Sequence, residues 1–170
     1  MATLVLTVIG DDRAGLVNAL AEAVSARGGN WERSQLAELA GKFAGIVVVS
    51  VADDQRAGLV ESLAAFPGLE IAVYEAIQPA ADRTDAGATV TLDLVGNDRP
   101  GIVRDVTAVL SRHGISIDRF TTETREAPMA GGELFEARLT GHAPEGAELE
   151  SVRADLEKLA DELMVDITLG

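Results

Sequence analysis

The sequence predicts an α+β chain built from two copies of one βαββαβ unit, each a four-stranded antiparallel sheet with two helices on one face. Three observations predict it. First, a loop motif occurs twice: Ile9-Gly10-Asp11-Asp12-Arg13-Ala14-Gly15-Leu16-Val17 returns as Val95-Gly96-Asn97-Asp98-Arg99-Pro100-Gly101-Ile102-Val103, offset by 86 positions in a chain of 170. From Gly10 to Val17, five of eight positions are identical to their partners. Second, the flanks keep the same offset, pairing Thr3 with Thr89, Leu6 with Leu92, Ser25 with Ser111, Gly28 with Gly114 and Arg33 with Arg119. A motif in register over about thirty residues marks a duplicated domain of ordinary small size. Third, each half alternates strand-period and helix-period stretches in the same order.

In the first half, residues 3–9 form a β-branched and leucine run of strand length, ended by Gly10-Asp11-Asp12. Asp12 is placed to cap a helix, its carboxylate accepting backbone N–H groups. Apolar residues then recur with a helical period at Leu16, Val17, Leu20, Ala23 and Val24. Arg27 falls in the expected last turn, and Gly28-Gly29 stops the helix. Strands are expected at 30–38 and 43–51, turning at Ala40-Gly41, with Ile46-Val47-Val48-Val49 as the buried centre. Asp53-Asp54 opens a second helix with Leu59, Val60, Leu63 and Phe66 on one face; Pro67-Gly68 ends it before a strand at 69–77. No periodicity survives between Gln78 and Gly87. The domains are therefore placed at 1–78 and 88–170, with a linker at 79–87.

The second half repeats the order: strand 89–95, helix 100–113 ended by Gly114, strands 116–124 and 133–140 joined through 128–132, helix 148–163 and strand 164–169. Right-handed crossovers put both helices of a half on the same sheet face. The result is a ferredoxin-like sandwich whose other sheet face is bare. Its edge strands invite pairing, so the halves are expected to pack together, preferably edge to edge.

Composition bounds the chemistry. The chain is 47% hydrophobic but only 4% aromatic, so its cores are aliphatic. With no cysteine there is no disulfide framework, thiolate metal site or cysteine nucleophile. No apolar run approaches the roughly 18 residues that span a bilayer; a soluble cytoplasmic protein without membrane association is expected. The net charge of −14 divides as −6 over residues 1–85 and −8 over 86–170. Neither half has the clustered Lys/Arg that phosphate neutralisation demands, so no direct nucleic-acid binding is expected. No serine elbow, P-loop or metal-ligand spacing of the two histidines occurs. Neither an enzyme, a metal nor a cofactor is expected.

The repeated loop, set between a strand and a helix of a βαββαβ unit, resembles the first loop of the ACT domain. Two such units filling nearly the whole chain are similar to the glycine cleavage system transcriptional repressor group. The resemblance implies non-catalytic regulation through a small ligand, usually an amino acid, held where one unit's first loop meets the second strand of a neighbouring unit. On this sequence the implied binding positions are Gly10, Asp11, Asp12, Gly15 and Leu16 with Asn30, and Gly96, Asn97, Asp98, Gly101 and Ile102 with Ser116. Asp11 stands where the second copy has Asn97, and Ala14 where it has Pro100, so the first loop has a different ligand preference or none. The expected partners are the ligand, a regulatory protein and a second copy of the chain in a homodimer.

Physical chemistry supports such a site independently. A helix N-terminus offers unpaired N–H groups and a positive dipole end to a carboxylate. Asn97, Asp11 or Asn30 can take an ammonium group. Gly15 and Gly101 either let a ligand approach closely or allow tight helix–sheet packing. Arg13 and Arg99 read as solvated or paired with surface acids, and Trp31 as an interface residue. His113 is placed to complement a helix C-terminus; His142 falls in a loop and receives no role. Two functions fit: an amino-acid sensor that signals to a protein, or a ligand-independent oligomerisation module.

Overall fold

In a computed structural model the described residues are 1–77, 87–128 and 131–170. Residues 79–86 of the expected linker, and 129–130 of the expected turn at 128–132, lie outside the described residues. The chain divides into two compact units, Met1–Asp82 and Arg83–Gly170.

The first unit runs β1 (Ala2–Asp11), α1 (Leu16–Ser25), β2 (Asn30–Leu39), β3 (Lys42–Val51), α2 (Arg56–Ala64) and β4 (Glu70–Glu75). Its sheet has the order β2-β3-β1-β4 with every neighbour antiparallel. Strand alternation sends Leu4, Leu6 and Val8 of β1 and Val47 and Val49 of β3 to one side, where they meet Leu20 of α1 and Leu59 of α2 in one buried cluster. Each such side chain contributes on the order of 1.5–3 kcal/mol by leaving water. The β2–β3 hairpin turns through Ala40 (φ 51°) and Gly41 (φ 79°), the two positive φ values of a type I′ turn.

The second unit repeats this with β5 (Thr89–Asn97), α3 (Ile102–Arg112), β6 (Ser116–Glu126), β7 (Glu133–His142), α4 (Leu149–Leu163) and β8 (Val165–Leu169), in the sheet order β6-β7-β5-β8. Leu92 and Leu94 of β5, Val106 and Leu110 of α3, Leu139 of β7 and Leu156 of α4 fill its core. Each half is thus the predicted ferredoxin-like unit, a four-stranded antiparallel sheet with two helices on one face. In both, the second strand carries a bulge at the same place, between Trp31 and Arg33 and between Ile117 and Arg119.

Several local expectations are corrected. The second helix opens at Arg56, one residue after Gln55, and Asp53 instead accepts a bond of 2.8 Å from the Met1 ammonium group. The first helix ends at Ser25, so Arg27 lies beyond its last turn. Met164 is the left-handed C-cap of α4 (φ 53°) and not a strand residue. Trp31 packs against the core of its own unit. No described helix is long and apolar enough to cross a membrane.

Candidate ligand-binding loops

Each repeated motif bridges the end of a central strand and the start of a helix. Asp12 N–H donates to Gly41 O at 2.9 Å, and Asp98 N–H to Glu133 O at 2.8 Å, so both loops leave the sheet tethered to the adjacent hairpin. Neither aspartate caps its helix. The N-caps are Gly15 (φ 89°) and Gly101 (φ 95°), both left-handed and with no side-chain cap bond. The chain needs three further residues and a left-handed turn before helical geometry begins, which carries the aspartates out of capping reach. Helical bonding starts with Ala19 N–H to Gly15 O and Asp105 N–H to Gly101 O, both 2.9 Å. A helix that begins on glycine has no cap side chain to offer its first-turn N–H groups.

The glycines of the motif divide by role. A Cβ on Gly15 would have no heavy atom within 4 Å, so the residue is required by its backbone angle and leaves open space. At Gly101 the nearest atoms are the Arg104 guanidinium nitrogen at 3.1 Å and its carbon at 3.5 Å. Tight helix–sheet packing therefore does not explain either position. Gly10 and Gly96 are different: a Cβ would lie 2.3 Å from Gly68 O and 2.2 Å from Val165 Cγ1 respectively. They let the first strand pass close to the fourth, a structural need.

Side-chain surroundings separate the copies. Asp11 accepts a hydrogen bond from Lys42, its register partner, and this bond, together with the ammonium charge, holds its carboxyl below the usual aspartate range. Asn97, its counterpart, faces Leu134 across the ladder and is exposed. Arg13 is solvent-exposed, as expected, and donates to Pro67 O at 3.0 Å, lying over Gly68 in the turn before β4. In the second copy Arg104 donates to Asp105 at 2.8 Å, and this bond, with the charges of Arg104 and Arg99, lowers the Asp105 pKa. Leu16 and Ile102 are only 3% and 2% exposed, so their side chains belong to the core; only their backbone can face a ligand.

Asn30 and Ser116 stand far from the loops of their own units. Asn30 pairs with Ser50 of β3, whereas Gly10 pairs with Phe43, seven residues along the same strand. Ser116 pairs with His142 and Gly96 with Phe135, again seven residues apart. At ~3.3 Å per residue the separation is about 23 Å. Each unit thus brings Gly10, Asp11, Asp12, Gly15 and Leu16 together, or Gly96, Asn97, Asp98, Gly101 and Ile102, and leaves its Asn30 or Ser116 at the opposite end.

Both histidines hold aspartates. His113, the C-cap of α3, lies with Nε2 2.8 Å from Asp155 of α4, and this bond lowers the Asp155 pKa. His142 ends β7, not a loop, and its Nδ1 meets Asp118, the extra residue of the β6 bulge. Sequence reasoning missed Lys42, Arg104, Asp118 and Asp155. Only Arg104 carried a signal, by lying in the first turn after Gly101. Among the described residues no three His, Asp or Glu side chains are grouped to hold a metal ion.

ACT domain family matches cover residues 2–68 and 90–161. Over 161 residues the chain is 28% identical to the glycine cleavage system transcriptional repressor of Escherichia coli (strain K12), spanning 94% of this chain and 85% of the relative. The protein of that name from Shigella flexneri matches to the same extent. An unknown protein from Galdieria sulphuraria, solved by crystallography, superposes with a TM-score of 0.83 at 33% identity, covering 99% of this chain and 96% of that one.

Proposed function

The chain belongs to the ACT domain family, with one ACT domain in each half, and on that premise we propose that it is a non-catalytic cytoplasmic regulator that binds an amino acid and signals to a protein partner. The observation that carries the reading is the pair of glycine-started helices, whose first-turn N–H groups have no side-chain cap. The space beside Gly15 is open, and beside Gly101 stands the Arg104 guanidinium. A ligand carboxylate supplies the acceptor such N–H groups lack. One helix end contributes about 0.3–1 kcal/mol when exposed and up to ~2 when partly buried. A micromolar complex needs roughly 8 kcal/mol, so a second wall has to close the site. Asn30 or Ser116 of a neighbouring ACT unit supplies that wall, since neither can reach the loop of its own unit.

The second loop is the better ligand loop. Asn97 offers an amide free to accept an ammonium group, while the Asp11 carboxylate is already bonded to Lys42. The domains are taken as 1–78 and 88–170. The relatives' name suggests control of glycine cleavage, and the charge of −14 suggests that control runs through a protein and not through direct DNA contact.

The test is a thermal-shift screen against the twenty amino acids. A ligand at 100 times its Kd stabilises the native state by about 2.7 kcal/mol. The expected result is a shift with at least one amino acid that is lost on Asn97→Ala and kept on Asp11→Ala. No shift with any of the twenty at millimolar concentration would instead support the oligomerisation reading, which the Asp11–Lys42 pair favours for the first loop.

A further inference from the structure

The sheet faces turned away from the helices differ between the two copies. In the first unit the bare face is apolar along its centre, with Val5 and Ile9 of β1, Ile46 and Val48 of β3 and Tyr74 of β4. Ile9, Ile46 and Tyr74 are 49%, 52% and 57% exposed. At the matching positions of the second unit the face is charged: Thr7 opposite Ile46 becomes Asp93 opposite Arg138, joined at 2.7 Å. Ala44 opposite Ile9 becomes Glu136 opposite Val95. The shared fold tolerates a polar face, as the second copy demonstrates, so folding alone does not require the apolar one.

We propose that the bare sheet face of the first unit is a dimer interface occupied by the same face of a second copy of this chain. Charge is the first argument. The chain carries −14, so most self-contacts would bring like charges together. On this face the charges cancel: Lys42 pairs with Asp11 at one end, and Arg33 and Glu70 stand at opposite edges.

Shape is the second. A two-fold axis parallel to the strands lays β3 of one copy over β1 of the other. In that register Ile46 stands over Thr7 of the second copy and Ala44 over its Ile9, large against small both ways. Val48 meets Val5, and Arg33 comes over the Tyr74 ring, a cation–π arrangement. Size is the third. Three ten-residue strands of about 33 Å and the six-residue β4 of about 20 Å, spaced about 4.8 Å apart, give a footprint of roughly 570 Å². That is somewhat below the ~800 Å² per partner of a standard interface and within the range of small ones. The face meets the first loop only at its Asp11–Lys42 end, and neither loop's helix start lies on it, so the proposal does not depend on ligand binding.

Sedimentation velocity on the full chain across the micromolar range tests it. The wild type is expected to dimerise. Ile46→Arg and Thr7→Arg should each raise the dimer dissociation constant by at least about tenfold, as central interface positions do. Thr140→Arg, on the bare face of the second unit, should leave it unchanged. Circular dichroism melts check each variant's fold, and Thr7→Arg carries the test if Ile46→Arg unfolds. A wild-type monomer throughout the range, including one whose face is covered within its own chain, overturns the proposal. So does a dimer that both arginine variants leave intact.

Discussion

Lys42 donates its ammonium hydrogen bond to Asp11, its register partner across the β1–β3 ladder. The second copy has Asn97 opposite Leu134 and no such pair. Lys42→Ala is therefore expected to raise the Asp11 pKa toward its ordinary value, read by NMR titration of the carboxyl carbon. The folded pKa lies below the unfolded one, near 3.9. The pair's contribution is thus present above that unfolded value and fades as pH falls through the folded pKa. Both groups are exposed, so the effect shrinks in high salt.

Gly15 and Gly101 have positive φ. A methyl group on Gly15 meets no heavy atom within 4 Å, and one on Gly101 meets first the flexible end of the Arg104 side chain, at 3.1 Å. Gly15→Ala and Gly101→Ala should each cost about 1–2 kcal/mol through backbone strain alone. For a unit of this size that is a fall of roughly 4–8 °C per kcal/mol in Tm. A neutral Gly15→Ala would contradict the left-handed cap.

Gly10→Ala and Gly96→Ala meet neighbours instead of strain. The Gly10 methyl collides with backbone, Gly68 O at 2.3 Å, while the Gly96 methyl collides first with the Val165 side chain at 2.2 Å. Overpacking costs typically about 1–3 kcal/mol. Val165→Ala should recover part of the Gly96→Ala loss in a double-mutant cycle by chemical denaturation. Leu69→Ala, which removes the Leu69 Cδ2 contact at 2.9 Å, should recover little of the Gly10→Ala loss, because the Gly68 carbonyl stays in place.

The His113–Asp155 bond ties α3 to α4. Because Asp155 titrates below its usual value in the folded chain, the tie stabilises above the unfolded aspartate pKa near 3.9 and is lost as pH falls through the folded value. Melting curves of wild type and Asp155→Asn should therefore converge as pH drops below about 4.

Ala40 is a non-glycine residue at φ 51° in a tight hairpin. Ala40→Gly removes a strain of about 1–2 kcal/mol at the cost of roughly 0.5–1 kcal/mol in chain entropy. The expected net is a small rise in Tm, measurable by calorimetry.

The order of elements, most of both cores and the Ala40-Gly41 turn were legible in the sequence, because strand and helix periods in a duplicated chain report burial. The run Ile46-Val47-Val48-Val49, expected as a wholly buried centre, instead alternates, with Val47 and Val49 buried and Ile46 and Val48 on the opposite face. The helix starts were misplaced because Asp12 and Asp98 carry a cap's chemistry, while the left-handed angle that Gly15 and Gly101 adopt leaves no side-chain mark. The Asp11–Lys42 and His142–Asp118 pairs were hidden for a different reason. Each depends on cross-strand register or on a bulge, which the order of residues along one strand does not contain. The distance between Asn30 and Gly10 was likewise invisible until the β3 register was known.

That distance of seven register steps has a consequence for how a titration would behave. If the wall beside a loop comes from another chain, occupancy depends on protein concentration as well as ligand concentration, and diluting the protein weakens the apparent affinity. If it comes from the other half of the same chain, the binding curve is indifferent to dilution. A ligand titration repeated at two protein concentrations would thus reveal the molecularity of the response.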